Sequence, residues 1–194
     1  MRKVDHDARR QEVAIAAAHI IAEQGLESLT TRNLAKAMSC SIGVLSHYFA
    51  NKDEIVIAAL SWADTRIEQR FNNAIANNTS VDGYSPIIMG ALPLDAESDM
   101  EWRVRLNLAA YTLTHETLRQ TQTQMRKERE EKILNLVSSL QNAGLVRTDL
   151  TANIITRSVI DFITGAAYNL LQIPMEQREA RISFILDYIN ALQA

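Results

Sequence analysis

The chain has 194 residues, a formal net charge of −3 and an apolar fraction of 47%, enough to build a core for one domain or two small ones. No apolar run approaches the roughly 20 residues that a membrane-spanning helix needs, and charged residues fill the first positions, where a secretion signal would be apolar. A single cysteine, Cys40, excludes an internal disulfide and a multi-cysteine zinc site. These features predict a soluble cytoplasmic protein.

The N-terminal third predicts four helices. Apolar residues recur every third or fourth position in the first of them, and Gly25 provides a natural stop. Thr30 or Thr31 is the expected cap of the second helix, and Asn51 is the expected cap of the fourth. The four predicted helices cover residues 5–24, 31–38, 42–49 and 52–76.

The rest of the chain predicts a linker and a second group of helices. Residues 77–86 are rich in turn-forming residues, and a short apolar segment at 87–92 leads to a turn at Pro93. Gly144 and Pro174 separate the later helices, and Asp149 or Thr151 is the expected cap of the next-to-last one. No segment alternates between apolar and polar residues, so the fold class is all-α with about nine helices. The later helices are expected at 96–113, 115–144, 152–172 and 176–192.

The second and third helices, with the tight turn at 39–41 between them, have the proportions of a helix-turn-helix. Gly43 lies inside the third helix, where it costs about 1 kcal/mol relative to alanine, and it suits a helix whose backbone lies close to another surface. From Thr30 to Lys52 there are three basic residues and no acidic one, so a locally basic surface is expected on an acidic protein. The residues expected to hold the two helices against the first are Leu34, Ala35, Leu45 and Phe49.

The segment GLESLTTRNLAKAMSCSIGVLSHYFANKDEI resembles the DNA-binding domain of TetR-family transcriptional regulators, and the resemblance covers about residues 8–66. Within that family, SIGVLSHYF is most similar to the choline-responsive repressors of glycine betaine synthesis, which share Ser46 before the His-Tyr-Phe run. Two positions depart from the family pattern. Ser39 stands where glycine is usual in the turn, and Ile42 stands where lysine or a small polar residue is common.

The resemblance implies a DNA-binding domain at 1–66, a ligand-binding and dimerisation domain at 67–194, and a homodimer built by the last two helices, about 152–192. As a hypothesis, each protomer places its third helix in a major groove of an inverted-repeat operator in double-stranded DNA. Arg32 contacts either bases or phosphates, and Ile42 lies on the rim or against a thymine methyl. Residues nearest the base edges would be Gly43, Val44, Ser46 and His47. Phosphate contacts would come from Thr31, Ser41, Tyr48 and Lys52.

The effector site is expected within the later helices, where a choline-like cation would be held by an aromatic cage and one carboxylate. The candidate aromatic side chains can equally be core residues, and Asp161 can equally act as a cap or pair with Arg157 one turn away. A different apolar ligand is the alternative effector. The candidates are Trp102, Tyr111, Asp161, Phe162 and Tyr168.

Two other functional classes fit the sequence less well. The four histidines lie far apart without metal-ligand spacing, and there is no nucleophile elbow or glycine-rich phosphate loop, so no catalytic residue, metal site or cofactor is expected. The remaining alternative is an interaction protein that uses the same fold without binding DNA.

Overall fold

The structure is a computed structural model, and it describes residues 6–77 and 88–191. Regular structure within these two ranges is helical, as the sequence predicted, with two short 3-10 turns at Leu26–Ser28 and Met175–Gln177. The predicted linker at 77–86 falls almost entirely outside the described residues. The eight α-helices are α1 (His6–Gln24), α2 (Thr31–Ala37), α3 (Ile42–Tyr48), α4 (Lys52–Asn77), α5 (Ala96–Thr112), α6 (Glu116–Asn142), α7 (Ala152–Leu171) and α8 (Glu179–Asn190).

Side-chain caps explain where several helices begin. The Thr30 hydroxyl accepts a hydrogen bond from the Asn33 amide at 3.1 Å and caps α2. Thr151 caps α7 in the same way, at 3.3 Å from the Ile154 amide. Of the two caps that the sequence left open for α7, Thr151 is therefore the one used. Asp149 accepts a hydrogen bond from the Arg147 guanidinium instead, which holds the pKa of Asp149 below its ordinary value.

The described chain divides into two compact units. The first contains residues 1–67 and 96–118, and the second contains residues 68–95 and 119–194. Helix α5 thus packs with the N-terminal helices, mainly against α1. The sequence-based division into a DNA-binding domain at 1–66 and a ligand-binding and dimerisation domain at 67–194 concerns function, and it stays a prediction.

The core of the first unit is apolar, with one buried charged side chain. Glu101 on α5 is completely buried and accepts a hydrogen bond from Arg66 Nε on α4 at 3.4 Å. A second ion pair between the same helices joins Arg105 Nε to Asp64 Oδ1 at 3.4 Å. The fully buried apolar side chains of this unit include Ile21, Leu29, Leu34, Leu45, Trp102 and Leu108.

The core of the second unit is formed largely by the last two helices. Ile155 and Leu170 of α7 and Ile185 and Ile189 of α8 are buried, and half-buried apolar residues such as Phe162, Ile182 and Tyr188 pack against them. Arg178 is buried between them and is satisfied by the carbonyl oxygens of Ile173 at 3.0 Å and Pro93 at 2.8 Å. This guanidinium therefore fastens the α7–α8 connection to the turn at Pro93.

Some details differ from the sequence-based expectations. Helix α8 begins at Glu179 instead of 176, because Met175–Gln177 forms a 3-10 turn after Pro174. The suggested partner of Asp161 is engaged elsewhere, since Arg157 Nε donates to Glu130 Oε1 at 3.1 Å.

Candidate nucleic-acid interface

The turn between α2 and α3 depends on a residue with a positive φ. Ser39 has φ = 50°, and it is the one non-glycine residue in the described chain with this conformation. The backbone there is held by hydrogen bonds from the Ser39 amide to the Lys36 carbonyl (3.1 Å) and from the Cys40 amide to the Ala35 carbonyl (3.0 Å). The turn is thus formed without the glycine that such a helix end favours.

Helix α3 uses only one edge for packing. Leu45 and the C-cap residue Phe49 are buried, as predicted from the sequence. Every other α3 residue except half-buried Tyr48 is exposed. This leaves a continuous exposed surface on α3 that contributes nothing to the core. The exposed residues at its start and along it are Ser41, Ile42, Gly43, Val44, Ser46 and His47.

Gly43 is not required by the packing of the protein. Among the described residues, a Cβ atom built at this position would meet the Ser41 hydroxyl oxygen alone, at 3.8 Å, which is an ordinary contact. Its backbone is helical, so no left-handed conformation explains the glycine either. The fold of the protomer would accept a side chain at this position. The reason for a glycine here therefore lies outside the protomer.

Arg10 of α1 holds the C-terminal end of α3, and the sequence analysis missed it. Its guanidinium carbon lies 4.2 Å from the centroid of the Phe49 ring, and its Nη1 donates a hydrogen bond to the Tyr48 carbonyl. The Tyr48 ring also contacts His6, with centroids 4.8 Å apart, and His47, at 5.2 Å. The Arg9-Arg10 pair near the start of α1 was the available sequence signal.

The segment from Thr30 to Lys52 is basic, and the first acidic residues after it are Asp53 and Glu54 at the start of α4. The Glu54 carboxylate has a local structural role. It accepts a hydrogen bond from the Ala50 amide at 3.0 Å, while Asn51 caps the Glu54 amide at 2.9 Å. These bonds fix the start of α4, where Lys52 is half-buried.

Thr31 and Arg32 are exposed on α2. All ten predicted DNA-contacting residues thus belong to the first unit.

The five candidate effector residues are divided between the two units. In the first unit, Trp102 is buried with Arg105 over its ring at 4.7 Å, and Tyr111 stacks on His115 at 3.7 Å. Burial, and more weakly the carboxylates of Asp53 and Glu27, raise the pKa of the Tyr111 phenol.

In the second unit, Phe162 stacks on Tyr188 of α8 with centroids 3.9 Å apart, whereas Asp161 and Tyr168 are exposed on α7. Asp161 and Phe162 are adjacent in sequence. The five residues remain predictions as an effector site.

Residues 6–77 and 88–191 show neither a metal-binding cluster nor a membrane-spanning helix. No group of three or more histidine, cysteine, aspartate or glutamate side chains there is arranged to hold a metal ion. In the same ranges no helix is both long enough and apolar enough to cross a membrane.

Two family models match the chain. Residues 15–59 match bacterial regulatory proteins of the tetR family, and residues 82–194 match the C-terminal domain of BetI-type transcriptional repressors. The chain is 23% identical over 190 residues to the HTH-type transcriptional regulator PksA of Bacillus subtilis (strain 168), covering 95% of this chain and 89% of that protein.

Solved structures share the fold. A TetR-family transcriptional regulator from Rhodococcus sp. superposes with a TM-score of 0.80 at 18% identity, covering 97% of this chain and 100% of the other. A transcriptional regulator from Saccharomonospora viridis, in complex with choline, gives a TM-score of 0.75 at 17% identity and covers 95% of both chains.

Proposed function

This chain belongs to the TetR family of bacterial transcriptional regulators, and we propose that it is a repressor that binds an inverted-repeat operator as a homodimer and is released by a small-molecule effector. Family membership confirms the prediction that this protein is a DNA-binding regulator and that it is not an enzyme. In this proposal the protein acts in the cytoplasm, on operator DNA.

The observation that carries the DNA-binding part is the exposed surface of α3. A seven-residue helix that buries only Leu45, with Phe49 at its end, leaves its remaining side chains to a partner, and the surrounding segment is basic. The half-buried Tyr48 and Lys52 present a phenol and an ammonium group suited to phosphate oxygens. Base edges would meet Gly43, Val44, Ser46 and His47, with Thr31, Arg32 and Ser41 at the flanks.

A gel-shift titration on the DNA upstream of the gene tests this assignment. Combined Tyr48→Ala and Lys52→Ala should weaken binding at least tenfold, because two phosphate contacts are lost in each half-site. The Lys52 change should also reduce the slope of log affinity against log salt by about 0.9 for each lost contact. The matched control is Lys127→Ala, which removes an exposed lysine from α6 in the other unit. Unchanged affinity in the double variant would show that α3 is not the reading helix.

The homodimer in this proposal uses the outward faces of α7 and α8. Large apolar side chains are exposed on these faces in a single protomer, including Ile154 and Tyr168 of α7 and Phe184 of α8. Phe184→Asp should therefore shift the protein from dimer to monomer in light scattering. The control is Leu113→Asp, which places the same charge on an exposed apolar residue of the first unit. If the protein remains a dimer after Phe184→Asp, the dimer interface does not include this residue and lies elsewhere.

The effector in this proposal is choline or a related small cation. Support comes from the BetI-type match over 82–194 and from the choline complex of the similar Saccharomonospora viridis regulator. Aromatic faces and one carboxylate are the groups that hold a quaternary ammonium. The candidates stay those of the sequence analysis, Trp102 and Tyr111 in the first unit and Asp161, Phe162 and Tyr168 in the second.

Thermal unfolding with choline, betaine aldehyde and 3,3-dimethylbutan-1-ol, the neutral carbon isostere of choline, tests the effector. A ligand at about 100 times its Kd stabilises the folded state by about 2.7 kcal/mol, so the unfolding temperature should rise with choline but not with the isostere. Choline should also release the protein from DNA. An equal response to the neutral isostere would favour an apolar pocket. No response to any of the three compounds would exclude the proposed cation-binding cage.

A further inference from the structure

We infer that Ile42 and Val44 read the C5-methyl groups of thymines in the operator half-site. The inference rests on the proposed DNA-binding function and adds the chemical class of base that this surface recognises. Ile42 is 47% exposed and Val44 is 36% exposed, although both are aliphatic and the other exposed residues of the helix are polar or glycine. The core does not use either side chain, since Leu45 and Phe49 provide the packing of α3.

Ile42 and Val44 both lie in the first turn of α3, and the N-terminal residues of the second helix are the ones that contact base edges in helix-turn-helix proteins. Successive residues are rotated by about 100° around a helix, so Gly43 and His47 share the crest opposite Leu45 and Phe49. Val44 lies about 80° from this crest, whereas Ile42 lies about 120° from it, beside the packed edge, and is nevertheless exposed. Because Gly43 has no side chain, the helix axis can approach the floor of a groove closely, and short aliphatic side chains in the first turn then come within reach of base edges.

The chemistry of the major groove identifies the matching base. The thymine methyl is the apolar group presented on that edge, whereas the other bases present hydrogen-bond donors and acceptors there. Residues 41–48 contain no arginine, lysine, asparagine or glutamine, which are the side chains that read guanine and adenine with paired hydrogen bonds. The Ser46 hydroxyl donates to the Ile42 carbonyl at 3.2 Å, so it offers DNA only an acceptor. Apart from the His47 ring, apolar contact is therefore the means of discrimination that α3 provides.

The test replaces thymine with deoxyuracil, which pairs identically but lacks the methyl group, at each position of the operator in turn. Burial of one methyl predicts about a fourfold loss of affinity when it is removed from one half-site, and roughly fifteenfold when it is removed from both. Ile42→Ala should abolish the penalty at one thymine, and Val44→Ala should abolish it at a different one. Such non-additivity is the signature of direct contact. Lys52→Ala is the control, since a phosphate contact should weaken thymine and deoxyuracil operators equally.

Two results would overturn the inference. Operator binding that is insensitive to deoxyuracil at every position would place Ile42 and Val44 away from the bases while leaving the DNA-binding function intact. A deoxyuracil penalty that persists unchanged in both alanine variants would assign methyl reading to other residues. Failure of the unmodified protein to bind any upstream DNA is a separate result, and it would remove the proposed function together with the inference.

Discussion

The guanidinium carbon of Arg10 lies 4.2 Å from the centroid of the Phe49 ring, so a charged residue of the first helix covers the last apolar anchor of the exposed α3 helix. The same guanidinium donates a hydrogen bond to the Tyr48 carbonyl, one of the carbonyl groups left at the end of α3. Arg10 therefore positions α3 without belonging to its exposed surface, and it holds the backbone of Tyr48 in place.

Arg10→Ala should lower the free energy of unfolding by about 2 kcal/mol, because it removes a charged hydrogen bond and a cation–π contact. Arg10→Lys should recover only part of this loss, since an ammonium group cannot stack on Phe49 as a planar guanidinium does. Urea denaturation measures both effects. Arg9→Ala is the matched control: Arg9 pairs with Glu12 on the exposed side of α1, and its loss should leave stability unchanged. Equal effects of the two alanine variants would contradict the positioning role of Arg10.

Gly43→Ala should separate folding from DNA binding. The new Cβ would lie 3.8 Å from the Ser41 hydroxyl oxygen, an ordinary contact, so the fold accepts it and the helix gains up to about 1 kcal/mol. Operator affinity should nevertheless fall at least tenfold, because the added methyl would keep the α3 backbone away from the groove. Thermal unfolding and fluorescence anisotropy on labelled operator measure the two quantities. A variant that is more stable and binds equally well would show that this backbone does not closely approach DNA.

Ser39→Gly should stabilise the protein by about 0.5–1 kcal/mol, because the φ of 50° at this position is easily reached by glycine and is unfavourable for serine. Equilibrium denaturation with an unchanged m-value provides the measurement. Ser41→Gly serves as the comparison, since Ser41 has an ordinary φ of −84° and glycine there only adds freedom to the unfolded chain. Stabilisation by Ser41→Gly, or none by Ser39→Gly, would argue against strain in the turn.

Glu101→Gln should destabilise the protein by about 2 kcal/mol, because it leaves Arg66 without its buried carboxylate while preserving the side-chain volume. Glu97 offers a control with the same partner, since it also pairs with Arg66 but keeps 55% of its side chain exposed. Glu97→Gln should cost less than about 1 kcal/mol. Chemical denaturation of both variants measures the two losses of stability. Equal losses would show that burial of Glu101 adds nothing to the pairing of its charge with Arg66.

The sequence was a good guide wherever the decisive interactions are local. Apolar spacing located the helices, and Thr30 and Asn51 cap the helices for which they were chosen, because a cap acts on an amide within three residues. The two buried anchors of the third helix, Leu45 and Phe49, were also predicted correctly. The start of the last helix was misplaced by three residues, since a 3-10 turn and a helix begin with the same residue types.

The amino-acid sequence by itself therefore determined the all-α class, the helix-turn-helix and the family, because each depends on short-range periodicity, capping and a local motif. Only the tertiary structure decided that Arg10 covers Phe49, that Arg66 reaches the buried Glu101, and that α5 packs with the first unit. Arg10 and Phe49 are 39 positions apart, and the Arg66–Glu101 pair spans 35. A charged residue at such a distance has many partners of suitable charge available in the sequence, and only packing of the apolar cores selects one of them.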